Sequence, residues 1–144
     1  MKWNRIAASL ILFFSLSVIA KDETAKNEAH SSDWKYLTSD GEKTTYILNG
    51  SPKYIGKDIV AAWYLWDYKL QQIGQADRKF MSMKQLSQFS CQSHTTQLLS
   101  VAMYVEKMAI GAPVAKANFK DQPWVNIAPQ SAREVIFKYL CINK

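Results

Sequence analysis

The sequence predicts an α+β fold: an antiparallel sheet of about six strands, with one helix at the C-terminus and a single pair of cysteines available to tie them. Three observations carry this. Between residues 34 and 119, short runs rich in β-branched and aromatic residues alternate with turn signals such as Ser39-Asp40-Gly41 and Asn49-Gly50-Ser51-Pro52. One capped, helically spaced segment closes the chain, after residue 130. Sequential strands joined by short turns favour a meander, and one helix can roof only one side of it. No internal repeat is present, which removes solenoids and propellers.

The first twenty residues stand apart. Lys2 and Arg5 precede an apolar run from Ile6 to Ile19, and Val18-Ile19-Ala20 ends it with small residues. That is the three-part pattern of a secretory signal peptide, with the run too short for a helix of about 20 residues to cross a bilayer. An uncleaved anchor is the rival reading. The expected organisation is a signal peptide over residues 1–20, a leader over 21–32 and a domain over 33–144. The leader, "KDETAKNEAHSS", has no large apolar residue and cannot offset the entropy of ordering, so flexibility is expected.

Each element then follows in order. Trp34 to Leu37 and Thr44 to Leu48 flank the Ser-Asp-Gly turn and read as a hairpin. Ile59 to Leu70 is the third strand, Gln71 to Asp77 a polar loop, and Phe80 to Cys91 the fourth strand. In the fourth, Met81, Met83, Phe89 and Cys91 share one side, with Lys84, Gln88 and Ser90 on the other. Thr95 to Lys107 is apolar enough for strand or helix, and its Thr, Val and Tyr residues favour strand. Gly111-Ala112-Pro113 turns the chain into a brief strand, Val114 to Phe119.

The helix begins with Ser131 and Glu134, spaced as a capping box in which each side chain satisfies a free backbone N–H of the first turn. Val135, Ile136, Tyr139 and Leu140 share one face at helical spacing; Phe137 and Lys138 fall outside it. Ideal phase puts Cys141 opposite that face, so a bridge from Cys141 to the sheet requires the helix to unwind near Leu140.

The residue types exclude most chemistry. His30 lies in the leader. His94 lies three residues from Cys91, but a turn histidine beside a bridged cysteine is no nucleophile–base pair. No His, Cys and carboxylate cluster has metal-binding spacing, and none of the five glycines builds a phosphate-cradling loop. Met81 and Met83 fit core packing better than a soft-metal site without a third ligand. No cofactor and no catalytic residue are expected, and the chain reads as a non-enzyme. The formal charge of +6 is dispersed, and Arg78-Lys79 is the longest basic cluster, so nucleic acid is not an expected partner.

Cys91 and Cys141 are the two cysteines. In an exported chain an even count reads as a disulfide. Closing a loop of about 50 residues stabilises by ~4 kcal/mol in the chain-entropy model. A bridge between two chains and two free thiols are the alternatives.

The third strand holds the main candidate surface. "AAWYLWDYKL" places Trp63, Tyr64, Trp66 and Tyr68 within six residues, and strand alternation sends Tyr64, Trp66 and Tyr68 to one side and Trp63, Leu65 and Asp67 to the other. One side packs under the helix. The other meets water, a partner, a second copy of the chain, or the chain's own segment from Lys116 to Ile127. An uncovered aromatic face marks an interaction site, so these four residues are the candidate binding or dimer surface.

The chain resembles the surface-adhesin protein E family of Gram-negative bacteria. The resemblance rests on Trp34, Trp63, "FMSMKQLSQFSC" ending at Cys91, the run from Tyr104 to Gly111, and "WVNIAPQSAREVIFKYLC" ending at Cys141. It implies an antiparallel sheet and C-terminal helix tied by a Cys91–Cys141 bridge. It further implies adhesion to a host extracellular-matrix or serum protein, with a homodimer as a further partner state. The family's namesake carries a lipid anchor, whereas this sequence has no cysteine at the cleavage position, so a periplasmic or released protein is expected ahead of surface display. The alternative function is a periplasmic interaction or inhibitor module that binds an envelope partner.

Overall fold

The computed structural model describes residues 33–142; the expected signal peptide and leader lie outside the described residues. Eight strands and one helix follow in order: β1 (Trp34–Ser39), β2 (Lys43–Leu48), β3 (Lys53–Ile55), β4 (Ile59–Ile73), β5 (Lys79–Ser90), β6 (Thr95–Tyr104), β7 (Ala115–Asn118), β8 (Val125–Asn126) and α1 (Ala132–Cys141). The sheet runs β1-β2-β4-β5-β6-β7, with β3 also on β4 and β8 also on β6. Every pairing is antiparallel. The α+β expectation holds, with β3 and β8 added to the six expected strands.

The 15-residue β4 is the spine. Its polar end was expected to be loop from Gln71; instead the strand runs on to Ile73 and turns back at once. The turn is made without glycine at its centre: Ala76 and Asp77 both have φ of 54°, and Arg78 N–H closes it on the Gln75 carbonyl at 3.4 Å. Two positive-φ residues are what a tight hairpin of the I′ kind requires, because that geometry matches strand twist.

The helix packs on the face bearing Val60, Ala62, Tyr64 and Phe89, together with Ile47 and Ile127. Its own buried residues are Ile136, Phe137 and Leu140. Burying each such side chain is worth roughly 1.5–3 kcal/mol. Phe137 therefore belongs to the core, contrary to its expected place outside the apolar face. The face is rotated toward Phe137, and Cys141 lies four residues further on the same side. The helix needs no unwinding: Cys141 is its last residue, and it bonds Cys91 with the two Cα atoms 5.5 Å apart. The bridge is intrachain and leaves no free cysteine among the described residues.

The helix start is the expected capping box in its Ser131 half, with the Glu134 half shifted one residue outward, to Gln130 in place of Ser131. Ser131 Oγ accepts from the Glu134 N–H at 3.2 Å, while the Glu134 carboxylate accepts from the Gln130 N–H at 2.8 Å. At the other end Tyr54 on β3 donates its hydroxyl to the Leu140 carbonyl at 3.0 Å. The segment from Lys116 to Ile127 does not cross the sheet: β7 and β8 both pair with β6 along the sheet's edge.

Candidate binding surface

Register fixes which side chains share the helix-free face. One row runs Tyr36, Tyr46, Leu65, Lys84 and Ala102 across five strands. A neighbouring row brings Trp63, Leu86 and Ser100 into line, and Trp34 lies opposite Leu48. A third places Thr44, Asp67, Ser82 and Tyr104 side by side.

The third row is roofed by the chain itself, through a turn the sequence did not announce. Lys107 to Ile110 projects over this face, with Met108 at φ 58° and Ala109 at φ 55°. Its strained amides are held by two buried side chains. Met108 N–H donates to Asp67 Oδ1 at 2.8 Å, and Ala109 N–H donates to Ser82 Oγ at 2.9 Å. Ser82 in turn donates its hydroxyl to the Glu106 carbonyl at 2.6 Å. The Lys107 ammonium lies 4.0 Å from the Asp67 carboxylate. Burial, then the neighbouring Asp67 charge, raises the pKa of the Tyr46 phenol in the adjoining row.

The Trp63 row is open. Leu48, Asn49, Gly50, Ser51, Lys53, Ala61, Trp63 and Leu86 surround a hollow of about 370 Å³. Trp63 is fixed there by its backbone and by its ring. β2 ends before it and β3 begins after it, so its amide faces a gap in the ladder, and Ser51 fills that gap. Trp63 N–H donates to Ser51 Oγ at 3.1 Å, and the Ser51 hydroxyl reaches the Trp63 carbonyl at 3.4 Å. Gly50, with φ 71°, turns the chain to bring Ser51 in. Over the ring sits the Lys84 ammonium, 4.8 Å from the centroid. Partial burial pushes its pKa below the ordinary lysine value. The hollow thus offers apolar surface beside a partly desolvated cation, which suits a side chain with an apolar body and an acidic or aromatic end.

The four residues of the expected surface separate. Trp63 alone lies on the open face. Tyr64 is 0% exposed in the core, its hydroxyl near Ser87 Oγ at 3.1 Å and Gln85 Oε1 at 3.3 Å. Trp66 lies on the helix side between Lys43 and Arg133, whose charges are 5.2 and 5.1 Å from its rings. Tyr68 packs edge-on against Phe80 at 5.6 Å. Tyr64 therefore drops out of any surface, since a strand alternates and its neighbour Trp63 took the outer face. Sequence reading missed Leu48, Leu86 and Lys84 as partners of Trp63, because they come from other strands and only the register joins them.

His94 is an exposed turn residue at φ 57° whose ring stacks on Phe137 at 4.2 Å. Among the described residues no group of three His, Cys, Asp or Glu could hold a metal ion. No described helix is long and apolar enough to cross a membrane.

Solved structures with the same architecture exist. The structure of Haemophilus influenzae protein E aligns with a TM-score of 0.56 at 17% identity, covering 78% of this chain and 86% of that one. Its crystal form II aligns at 0.57, also at 17% identity, covering 78% and 89%. Protein E from non-typeable Haemophilus influenzae gives 0.55 at 17%, covering 78% and 77%. At such identity the likeness is one of fold. Curated protein sequences provide no match. The model of the surface-adhesin protein E family matches residues 34–142, from the first strand through the bridged helix, and the chain belongs to that family.

Proposed function

We propose that this adhesin-like protein is an exported, non-catalytic binding module that attaches to a host extracellular-matrix or serum protein through its Trp63 face. The observation that carries the reading is the open hollow beside Trp63, with Leu48 and Leu86 at its sides and Lys84 on the ring. Apolar and aromatic surface left accessible beside a cation is where a partner gains from burial. The same patch could pair with itself in a two-fold homodimer, since an isologous contact needs only one self-complementary surface.

The test uses the chain from Lys21 onward, titrated over immobilised matrix and serum proteins at low salt. Saturable binding is expected, reduced at least tenfold by Trp63→Asp while the far-ultraviolet spectrum and melting midpoint hold, because loss of a central aromatic anchor typically costs about 2 kcal/mol or more. Sedimentation of both proteins reports whether the same substitution dissolves a dimer. No binding across the panel defeats the adhesive reading, and capture of an endogenous envelope protein through Trp63 would replace it with the periplasmic one. Cell fractionation with a non-reducing gel checks export.

A further inference from the structure

On the opposite face, α1 covers only part of the sheet. Beyond Tyr68 that face continues without the helix, and the tip of the β4–β5 hairpin curls over it. A Cβ on Gly74 would lie 3.4 Å from both the Met103 sulfur and the Phe80 ring, so bare backbone forms the wall. Between this tip and β7 lies an open groove of about 470 Å³. Phe80, Val101 and Met103 line it, with Ala115 and Ala117 beyond: register pairs Ala115 with Met103 and Ala117 with Val101, placing all four on one side of the sheet.

Its size falls within the roughly 300–1,000 Å³ of small-molecule sites, and its character is theirs too: mostly apolar, with a few polar groups at one end. Those groups are Gln75 and Arg78, with Lys116 bordering from the edge strand, and no acidic residue lines the groove. Arg78 is steadied at the rim by a bond from its Nη1 to the Val114 carbonyl at 3.3 Å. It has no carboxylate partner within 4 Å among the described residues; Asp77 is its sequence neighbour. Ile73, which also lines the groove, is 68% exposed. Greasy walls with a single unpaired guanidinium at the mouth match one ligand class by charge and polarity.

We propose that this groove binds a single-chain anionic amphiphile, its acidic head on Arg78 and its first methylenes along Phe80, Val101 and Met103. A guanidinium suits a carboxylate or phosphate head because its planar fork presents two parallel donors. This site is independent of the Trp63 face.

Calorimetric titration of the chain with octanoate, decanoate and dodecanoate, all below their micelle concentrations, tests it. Affinity is expected to rise about fourfold per added methylene, the transfer value for a buried CH₂, until the chain outgrows the groove. Arg78→Gln should weaken decanoate about tenfold, as loss of a charge-assisted bond does, and 1-decanol should bind the parent protein comparably weakly. Ala117→Trp, at an exposed position on the groove's rim, should block binding with the fold intact. The Met103 methyl resonance should shift on titration, and Trp63→Asp should leave all of this unchanged. Affinity that ignores chain length, equal binding by Arg78→Gln, or an unmoved Met103 methyl would overturn the proposal. So would a dimer that decanoate does not dissociate and that buries the groove.

Discussion

The two faces of this sheet are covered by different physics. On one, a ten-residue helix brings Ile136, Phe137 and Leu140 onto an apolar bed, and a covalent bridge holds its last turn. On the other, the cover among the described residues is a turn near Lys107 whose two left-handed residues are clamped by Asp67 and Ser82. The first is broad, non-directional and tolerant. The second is narrow and depends on specific donors and acceptors, so it leaves the Trp63 row partly exposed. The helix thus closes the Tyr64 end of its face and leaves the groove by Met103 open, while the turn closes only the Asp67 row of the other face.

The largest blow to this contrast is on the helix side. Replacing both Cys91 and Cys141 with Ser should lower unfolding free energy by about 4 kcal/mol, as a bridge closing a loop of this length implies, read from urea denaturation. On the other face, Asp67→Ala removes the acceptor for a buried amide and should cost about 2 kcal/mol. Hydrogen exchange distinguishes the two: the amides of Met108 and Ala109 should lose protection in Asp67→Ala, while those of β4 facing the helix keep theirs.

A smaller effect of opposite sign sharpens the comparison. Ala76→Gly and Ala109→Gly each relieve a left-handed residue and should raise the melting midpoint, by up to about 1 kcal/mol of stability each. If Ala109→Gly instead destabilises, packing of its methyl against the sheet outweighs the strain.

The smallest effect is at the helix start and concerns acid. The Gln130 N–H, and secondarily Lys138 at 3.5 Å, hold the Glu134 carboxyl below its ordinary pKa. A depressed carboxyl lends stability that is present above its unfolded pKa and is lost as pH falls through the folded one. Stability should therefore decline between roughly pH 5 and 3. Glu134→Gln should flatten that decline without abolishing it, because Asp40, lowered by the backbone N–H groups of Lys43 and Glu42, remains.

What could be read from the residues was what local physics decides. Alternation in β4 assigned Trp63, Leu65 and Asp67 to one side and Tyr64, Trp66 and Tyr68 to the other, and the pairings agree. Ser131 and Glu134 announced the helix. The hairpin at Ala76-Asp77 could not be read, because neither residue is the Asn or Gly that such turns usually carry; a loop was the natural inference. β3 and β8 are three and two residues long and exist only through their pairing with β4 and β6. The helix face was misjudged by one residue because Phe137 is buried by a sheet and a histidine that local spacing does not reveal. Most consequential was the Asp67–Met108 bond, spanning 41 residues. No window of sequence contains both ends, so the roof on the second face, and hence the extent of the open surface, emerged only from the fold.

The interrupted margins of the sheet carry a last consequence. β1 is bulged near Leu37, and along β6 the outer strand is split into β7 and β8, with an irregular segment between them. Neither border offers a long, flat row of free amides and carbonyls, the template on which extended chains polymerise. Broken rims of this kind keep copies of the sheet from joining edge to edge into fibres, so contacts with it come through its faces.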